Sequence, residues 1–458
     1  MGDLAIVGGK LISAGRQLQS DLVVSQQKIL RIGRLGKKAR SACSRVIDAK
    51  GCLVIPGAID PHVHLQLTIG PGLTTNDDFD SGTRAAAAGG VTSLIDYTTP
   101  AAGQNPLSAF KARRRLADRQ VNIDYSLHNV LIGWRPNWVE KIKELVKLGA
   151  PSVKLFMIYK ERGWQADDGR MLAVMESCKN LGVTVCVHAE NDDLIEKYTK
   201  RARQKPKSAA QLAAARPALV EEEAAEREIE LAKVCGARLH LVHLSTAAAA
   251  AAVGRARRAG HAISGETCPQ YLLLDKRKLS GKDGHLWGCC PVLRGKKDRL
   301  GLLVALQRGW LQAIGTDHCT FNRRQKDSWG KDFEKIPYGL PGVETSLALT
   351  FTLGPGKKKL SLAQWVKLHS EGPARLFGLY PQKGVLRKGS DADIVVWDPH
   401  QHRKIDFKDL QTDCDWNPYQ AMTVRGIARH VLLRGTEIAR EGKYIDSGQA
   451  GCFIRRKT

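Results

Sequence analysis

The 458-residue chain has no run approaching the roughly 18 consecutive apolar residues that a membrane span requires. Its longest suspicious stretch, residues 247–253, reads as the opening of a helix. It has no CxxC pair among 11 cysteines, an odd number, and the adjacent Cys289 and Cys290 cannot readily bridge each other. That excludes a disulfide framework and points to reduced thiols. No basic segment leads into a short apolar one near Met1, and Ile6 stands where a myristoylation signal needs Ser or Thr. The expected compartment is therefore the cytoplasm, with no membrane association. Acids are scarce relative to bases, 46 Asp+Glu against 71 Lys+Arg, for a net charge of +25. The basic clusters carry neither interleaved aromatics nor a nucleic-acid motif, so no specific nucleic-acid partner is expected, only salt-sensitive sticking. What the chain does have is 43% hydrophobic residues, enough for one large domain and a smaller one.

Residues 1–55 read as short alternating strands (4–7, 21–24, 29–32 and 46–48), and the last 75 or so do likewise (384–386, 393–397, 430–433 and 436–439). Neither end suffices for a sandwich alone, so the two are expected to pair into one small β-domain. Between them strand and helix alternate. Strands at 91–97, 125–132, 153–158, 184–187, 238–242, 261–265 and 313–316 are separated by helices such as 107–119, 138–148, 171–181, 221–234, 246–259 and 299–308. Such alternation fits a (β/α)8 barrel or a doubly wound sheet. Polar residues recur at the carboxyl ends of many different strands, which favours the barrel. The expected division is residues 1–55 and 379–458 for the β-domain and 56–378 for the barrel.

Those polar residues define the chemistry. His62 and His64 follow an apolar run and, two apart in a strand, point the same way. Lys154 sits in Ser152-Val153-Lys154-Leu155-Phe156, where an inward lysine is desolvated and left as a neutral amine able to take up carbon dioxide as a carbamate. His188 and His243 each end a strand, and so does Asp317; His240 and His318 are expected to face away from them. Imidazole and carboxylate donors suit zinc, with manganese or iron as alternatives. The expected assignment is His62, His64 and Asp317 on one ion, His188 and His243 on the other, and carboxylated Lys154 on both. Such a pair, ~3.5–4 Å apart, suits a bridging hydroxide and a polarised carbonyl, with Asp317 shuttling the proton to the leaving nitrogen.

With these residues in view, the chain resembles the hydantoinase/dihydropyrimidinase family of cyclic amidohydrolases, most of all the bacterial D-hydantoinases of the phenylhydantoinase kind. The resemblance covers nearly the whole length. It rests on Pro56-Gly57-Ala58-Ile59-Asp60-Pro61-His62-Val63-His64, Asp77-Asp78-Phe79, Lys154-Leu155-Phe156-Met157-Ile158-Tyr159, His188-Ala189-Glu190-Asn191, Glu266-Thr267-Cys268-Pro269-Gln270-Tyr271-Leu272, Gly315-Thr316-Asp317-His318, Gly339-Leu340-Pro341-Gly342 and Gly389-Ser390-Asp391-Ala392-Asp393. It implies a TIM barrel with a β-sandwich from both termini, two zinc ions bridged by N6-carboxylysine at Lys154, and a homotetramer. It also implies opening of a small cyclic ureide to an N-carbamoyl amino acid. In this family a tyrosine at the position of Tyr159 hydrogen-bonds the substrate and stabilises the oxyanion. Two substrate-contacting positions depart from the family pattern: Cys290 replaces a serine, and Tyr338 replaces an asparagine whose smaller side chain leaves a wider pocket. The family residues there contact the ureide largely through backbone groups. Alternatives within the same fold are allantoin or dihydroorotate as substrate, or a non-catalytic scaffold.

Overall fold

Eight strands that are buried on both faces, as parallel strands covered by helices must be, form the central sheet. They are β1 (Ala58–Val63), β2 (Val91–Tyr97), β3 (Asp124–Val130), β4 (Ser152–Phe156), β5 (Thr184–His188), β6 (Arg238–Leu241), β7 (Ile263–Thr267) and β8 (Ala313–Ile314). Every neighbouring pair is parallel and the spatial order follows the chain. The cylinder closes beyond β8: Asp317 N–H donates to His62 O at 2.9 Å and His64 N–H to His318 O at 2.8 Å. The computed structural model describes residues 2–70 and 72–458. A helix follows each strand on the outside, from Phe79–Gly89 after β1 to Ser346–Leu353 after β8. This is a (β/α)8 barrel.

The first of these helices shows how local sequence sets an element. Asp78 accepts hydrogen bonds from the backbone N–H groups of Asp80 and Ser81, the Ser81 side chain returns the bond, and Gly90 ends the helix with φ +93°. The alanine-rich face between those signals packs under the terminal β-domain.

That domain has two sheets. One holds Lys28–Ile32, Leu22–Ser25, Leu4–Val7 and Arg45–Asp48 in that order. The other runs Lys443–Tyr444, Thr436–Arg440, Thr423–Leu433, Ile394–Lys404, Leu53–Pro56, Lys10–Ser13 and Arg16–Gln19. Strand alternation explains the layers. Val54, Ile394 and Val396 face the smaller sheet, whereas Leu53, Ile55, Val395 and Trp397 face the barrel's helices. The apolar run before His62 is thus two strands. Leu53–Pro56 belongs to the terminal sheet, and at Gly57, whose N–H bonds Asp393 O, the chain crosses into β1.

Two sequence expectations need correction. Residues 384–386 form no strand: Gly384 has φ +79°, and Leu386 N–H bonds the Ser13 hydroxyl instead of a ladder carbonyl. The hairpin Lys10–Ser13/Arg16–Gln19 was not expected, because Arg16–Gln19 is exposed throughout and carries no inside–outside alternation. Its turn, Ala14-Gly15, uses positive φ at both positions. Among the described residues no helix is long and apolar enough to cross a membrane, and all 11 cysteines are free.

Candidate active site

The strand ends converge on one cavity of ≈ 180 Å³. That is below the ~300–1,000 Å³ of drug-sized sites, a size for a small molecule. Its wall contains His62, His64, Lys154, Tyr159, His188, His243, Cys290, Asp317 and Tyr338, every residue singled out from the sequence.

His62 comes from β1, and its Nδ1 lies 2.6 Å from Glu266 Oε1 at the end of β7. That bond leaves Nε2 for other work, 3.4 Å from Asp317 Oδ1; His64 Nε2 lies 3.1 Å from the same oxygen. Donors around a tetrahedral ion with bonds of ~2.0–2.1 Å stand about 3.3 Å apart, so this trio has the spacing of a cation site. Tyr97, ending β2, stacks on His64 with ring centroids 4.9 Å apart and abuts His62 at 4.7 Å, which restrains both imidazoles. Burial by itself would raise the Asp317 carboxyl. The His64 hydrogen bond and the imidazole charges outweigh it and hold the group below the ordinary carboxylate range.

On the other side, His188 ends β5 and its ring meets that of His243 edge-on at 4.5 Å. His188 Nε2 is 2.8 Å from Glu190 Oε2, leaving Nδ1 uncommitted. Burial depresses His188 to about 4, against the pull of Glu190, and drives His243 well down. Both are neutral imidazoles at pH 7, the form that ligates metals. His188, Glu190 and Cys290 also bring three donor atoms within 4.8 Å of one another. Arg216 Nη1, however, lies 2.8 Å from Glu190 Oε2. A guanidinium there repels a cation, so this trio orients His188 and is not an ion site. Glu190 is held at about 2: burial opposes ionisation, and Arg216 and His188 overcome it.

Lys154 is 1% exposed and its Nζ has no hydrogen-bond partner. Burial lowers its pKa to about 8. An orphaned amine between the two histidine groups fits the chemistry of a carbamate, which would supply the missing acceptors. His243 Nδ1 is likewise buried without a partner. The donor set and these orphaned atoms fit a metal centre.

Three of the cavity residues depart from regular backbone. Tyr159 (φ +70°), His243 (φ +39°) and Asp317 (φ +52°) are all left-handed, at a cost of about 1–3 kcal/mol each. The strands end before them, and the reversed backbone turns each side chain into the cavity. This overturns the expectation that His240 faces away from His243. Alternation does not run through His243, and His240 is also interior, its Nε2 3.3 Å from Glu266 Oε2, one level beneath the cavity floor. His318 is bonded to Asp77 Oδ2 at 3.0 Å and lies outside the cavity wall. Gly315 completes the floor: a Cβ there would come within 3.0 Å of His62 Cβ and 3.2 Å of Glu266 Oε2.

Sequence reasoning missed the supporting residues Glu266, Glu190, Tyr97 and Arg216. Glu266 was within reach, since it is a carboxylate near the end of an apolar strand, the signal that singled out Asp317. Arg216 lies far from the motifs; its guanidinium carbon stands 5.6 Å from the Tyr338 ring centroid, and Cys290 Sγ lies 3.2 Å from Glu190 Oε2. The two departures from the family pattern therefore border one buried ionic network.

The barrel with this ligand layout is that of a hydrolase, and the chain belongs to the amidohydrolase family, whose sequence profile matches residues 53–438. Within it, the chain is 37% identical over 456 residues to the D-hydantoinase of Geobacillus stearothermophilus, covering 98% of this chain and 96% of that one. Among solved structures, the D-hydantoinase of Bacillus sp. AR9 superposes with a TM-score of 0.95 at 38% identity, over 99% of each chain. The dihydropyrimidinase of Brevibacillus agri NCHU1002 does so with 0.95 at 37%, over 99% and 98%.

Proposed function

We propose that the protein hydrolyses the cyclic amide bond of a hydantoin or dihydropyrimidine. Water adds across the ring C–N bond, the carbonyl carbon becomes a carboxylate and the nitrogen leaves protonated, as an N-carbamoyl amino acid. In this reading His62, His64 and Asp317 would hold one zinc ion, His188 and His243 the other, and a carboxylated Lys154 would serve both. When bound, two such ions acidify a water molecule and polarise the ureide carbonyl. Asp317, ionised at neutral pH, accepts the proton of the attacking water and returns it to the ring nitrogen. Tyr159 is kept protonated, because burial and its neighbour Cys290 raise its phenol well above the ordinary value, so it donates to the carbonyl oxygen as charge develops there. Glu266 and Glu190 fix the ring orientation of His62 and His188. The reading extends to a homotetramer, on the strength of the family resemblance, and to the cytoplasm, in keeping with free cysteines.

The observation that carries it is the meeting of two histidine groups, one orphaned buried lysine and one low-pKa aspartate around a single cavity. The test is a panel of hydantoin, dihydrouracil, 5-phenylhydantoin and allantoin, with metal analysis on the same sample. Opening of hydantoin or dihydrouracil by protein carrying about two divalent ions per chain is expected. No opening of any ring by metal-loaded protein overturns it. Tyr159→Phe should lower kcat by on the order of 10²–10³-fold with little change in KM, measured by steady-state kinetics; a kcat within about twofold of the parent removes the oxyanion role.

A further inference from the structure

We infer that the cavity selects cyclic ureides whose exocyclic substituent ends in a carboxylate, and that Arg162 is the residue that recognises it. The inference rests on the proposed function and narrows its substrate class.

The charges on the wall are unevenly shared. Among the described residues Asp317 is its sole acid, and it is already engaged by His62 and His64. Arg216 is not part of the wall and is spent on Glu190, and Lys154 lies buried on the wall with the histidines. Arg162 remains. It lies in a reversal between the lysine-bearing strand and the next helix, where Arg162 N–H and Trp164 N–H both donate to Tyr159 O, at 3.0 and 3.1 Å. This fold-back puts the guanidinium carbon 5.0 Å from the Tyr159 ring centroid and 5.8 Å from that of Trp164. The two rings stand edge-to-face, 5.7 Å apart, so the guanidinium occupies a corner between two aromatic walls.

Cation–π attraction to the two rings restrains the guanidinium, and neither ring consumes its N–H donors, which stay available to a bidentate acceptor. The nearest carboxylate, Glu161 Oε1 at 3.6 Å, belongs to a side chain that is 68% exposed. A solvated pair of that kind is weak and yields to a better-placed anion. The same cavity wall carries Phe156, Trp164, Leu67 and Ile69, apolar surface against which a short methylene stem can lie. One wall thus combines apolar side chains with one planar cation, a pairing complementary to an alkyl carboxylate. The net charge of +25 adds long-range attraction for an anionic substrate.

The test uses the metal-loaded full chain with unsubstituted hydantoin, 5-(2-carboxyethyl)hydantoin and the matching neutral amide, 5-(2-carbamoylethyl)hydantoin. The carboxylate should exceed the amide in kcat/KM by about tenfold, the scale of one charge-assisted contact. Arg162→Met should bring that ratio to about unity, and Arg162→Glu should invert it. If hydantoin is opened but the ratio in the parent enzyme is already about unity, or survives Arg162→Met, this inference falls while the proposed function stands. If neither these three rings nor dihydrouracil is opened, the proposed function falls and takes this inference with it; if dihydrouracil alone is opened, only this inference falls.

Discussion

Asp317→Asn is expected to lower kcat by on the order of 10⁴-fold, the upper end of what one general acid–base contributes. The amide keeps the size and the left-handed backbone position of Asp317, so the barrel's closure through the Asp317 N–H and His62 O survives. What disappears is the anionic oxygen that lies 3.4 and 3.1 Å from the two histidine nitrogens, and with it any basicity for the water proton. In the proposed reading the group acts on the reacting proton and not on ground-state binding, so the loss should fall on kcat. Metal analysis separates the two roles. Weaker retention of one ion by 10–100-fold reports the lost ligand, and a rate still depressed at saturating metal reports the lost proton carrier. A kcat within about tenfold of the parent at full metal occupancy rejects the proton-carrier role.

The second large effect concerns Lys154, and it has opposite signs for activity and for stability. Lys154→Met removes the amine that carbon dioxide would modify, so bound metal should fall from two ions per chain and ring opening should drop by at least about 10³-fold. The metal-free variant should nevertheless be more stable than the metal-free parent. With a folded pKa of about 8 against the ordinary 10.5, the folded state holds the proton less tightly than the unfolded state. The penalty is fully present below pH 8, where it amounts to about 3 kcal/mol. It fades as pH rises from 8 to 10.5, because there the unfolded chain binds the extra proton and stability climbs with pH. Thermal melts of both apo proteins at pH 7 and pH 10 check this; equal melting temperatures at pH 7 show that Lys154 is not desolvated. The same pKa leaves about a tenth of the amine neutral at pH 7, against about 0.03% for an ordinary lysine. Reconstitution of the apo protein with bicarbonate and zinc should accordingly be faster at pH 8 than at pH 6.

Much of the framework was legible because its signals are local. Strand alternation aligned His62 with His64, apolar runs of five to seven residues marked most barrel strands, and helix 247–258 follows its Thr246 cap directly. Legibility failed where backbone geometry departs from a repeat. At His243 the left-handed turn cancelled the alternation that had set His240 on the opposite side. At residues 384–386 a β-like composition met a glycine with φ +79° and a side-chain partner for the next free amide. The exposed strand Arg16–Gln19 had no buried face to announce it.

The amino-acid order by itself determined the alternation of strand and helix, the types of donor at the strand ends and the family the chain resembles, since each depends on residues within a few positions of one another. Only the tertiary structure decided which ring nitrogen each histidine keeps free, that Glu266 and Glu190 hold those rings, and that Arg162 lies in the corner between Tyr159 and Trp164. Those outcomes join residues as far apart as His62 and Glu266, and a contact across 204 positions exists only once the cylinder has closed.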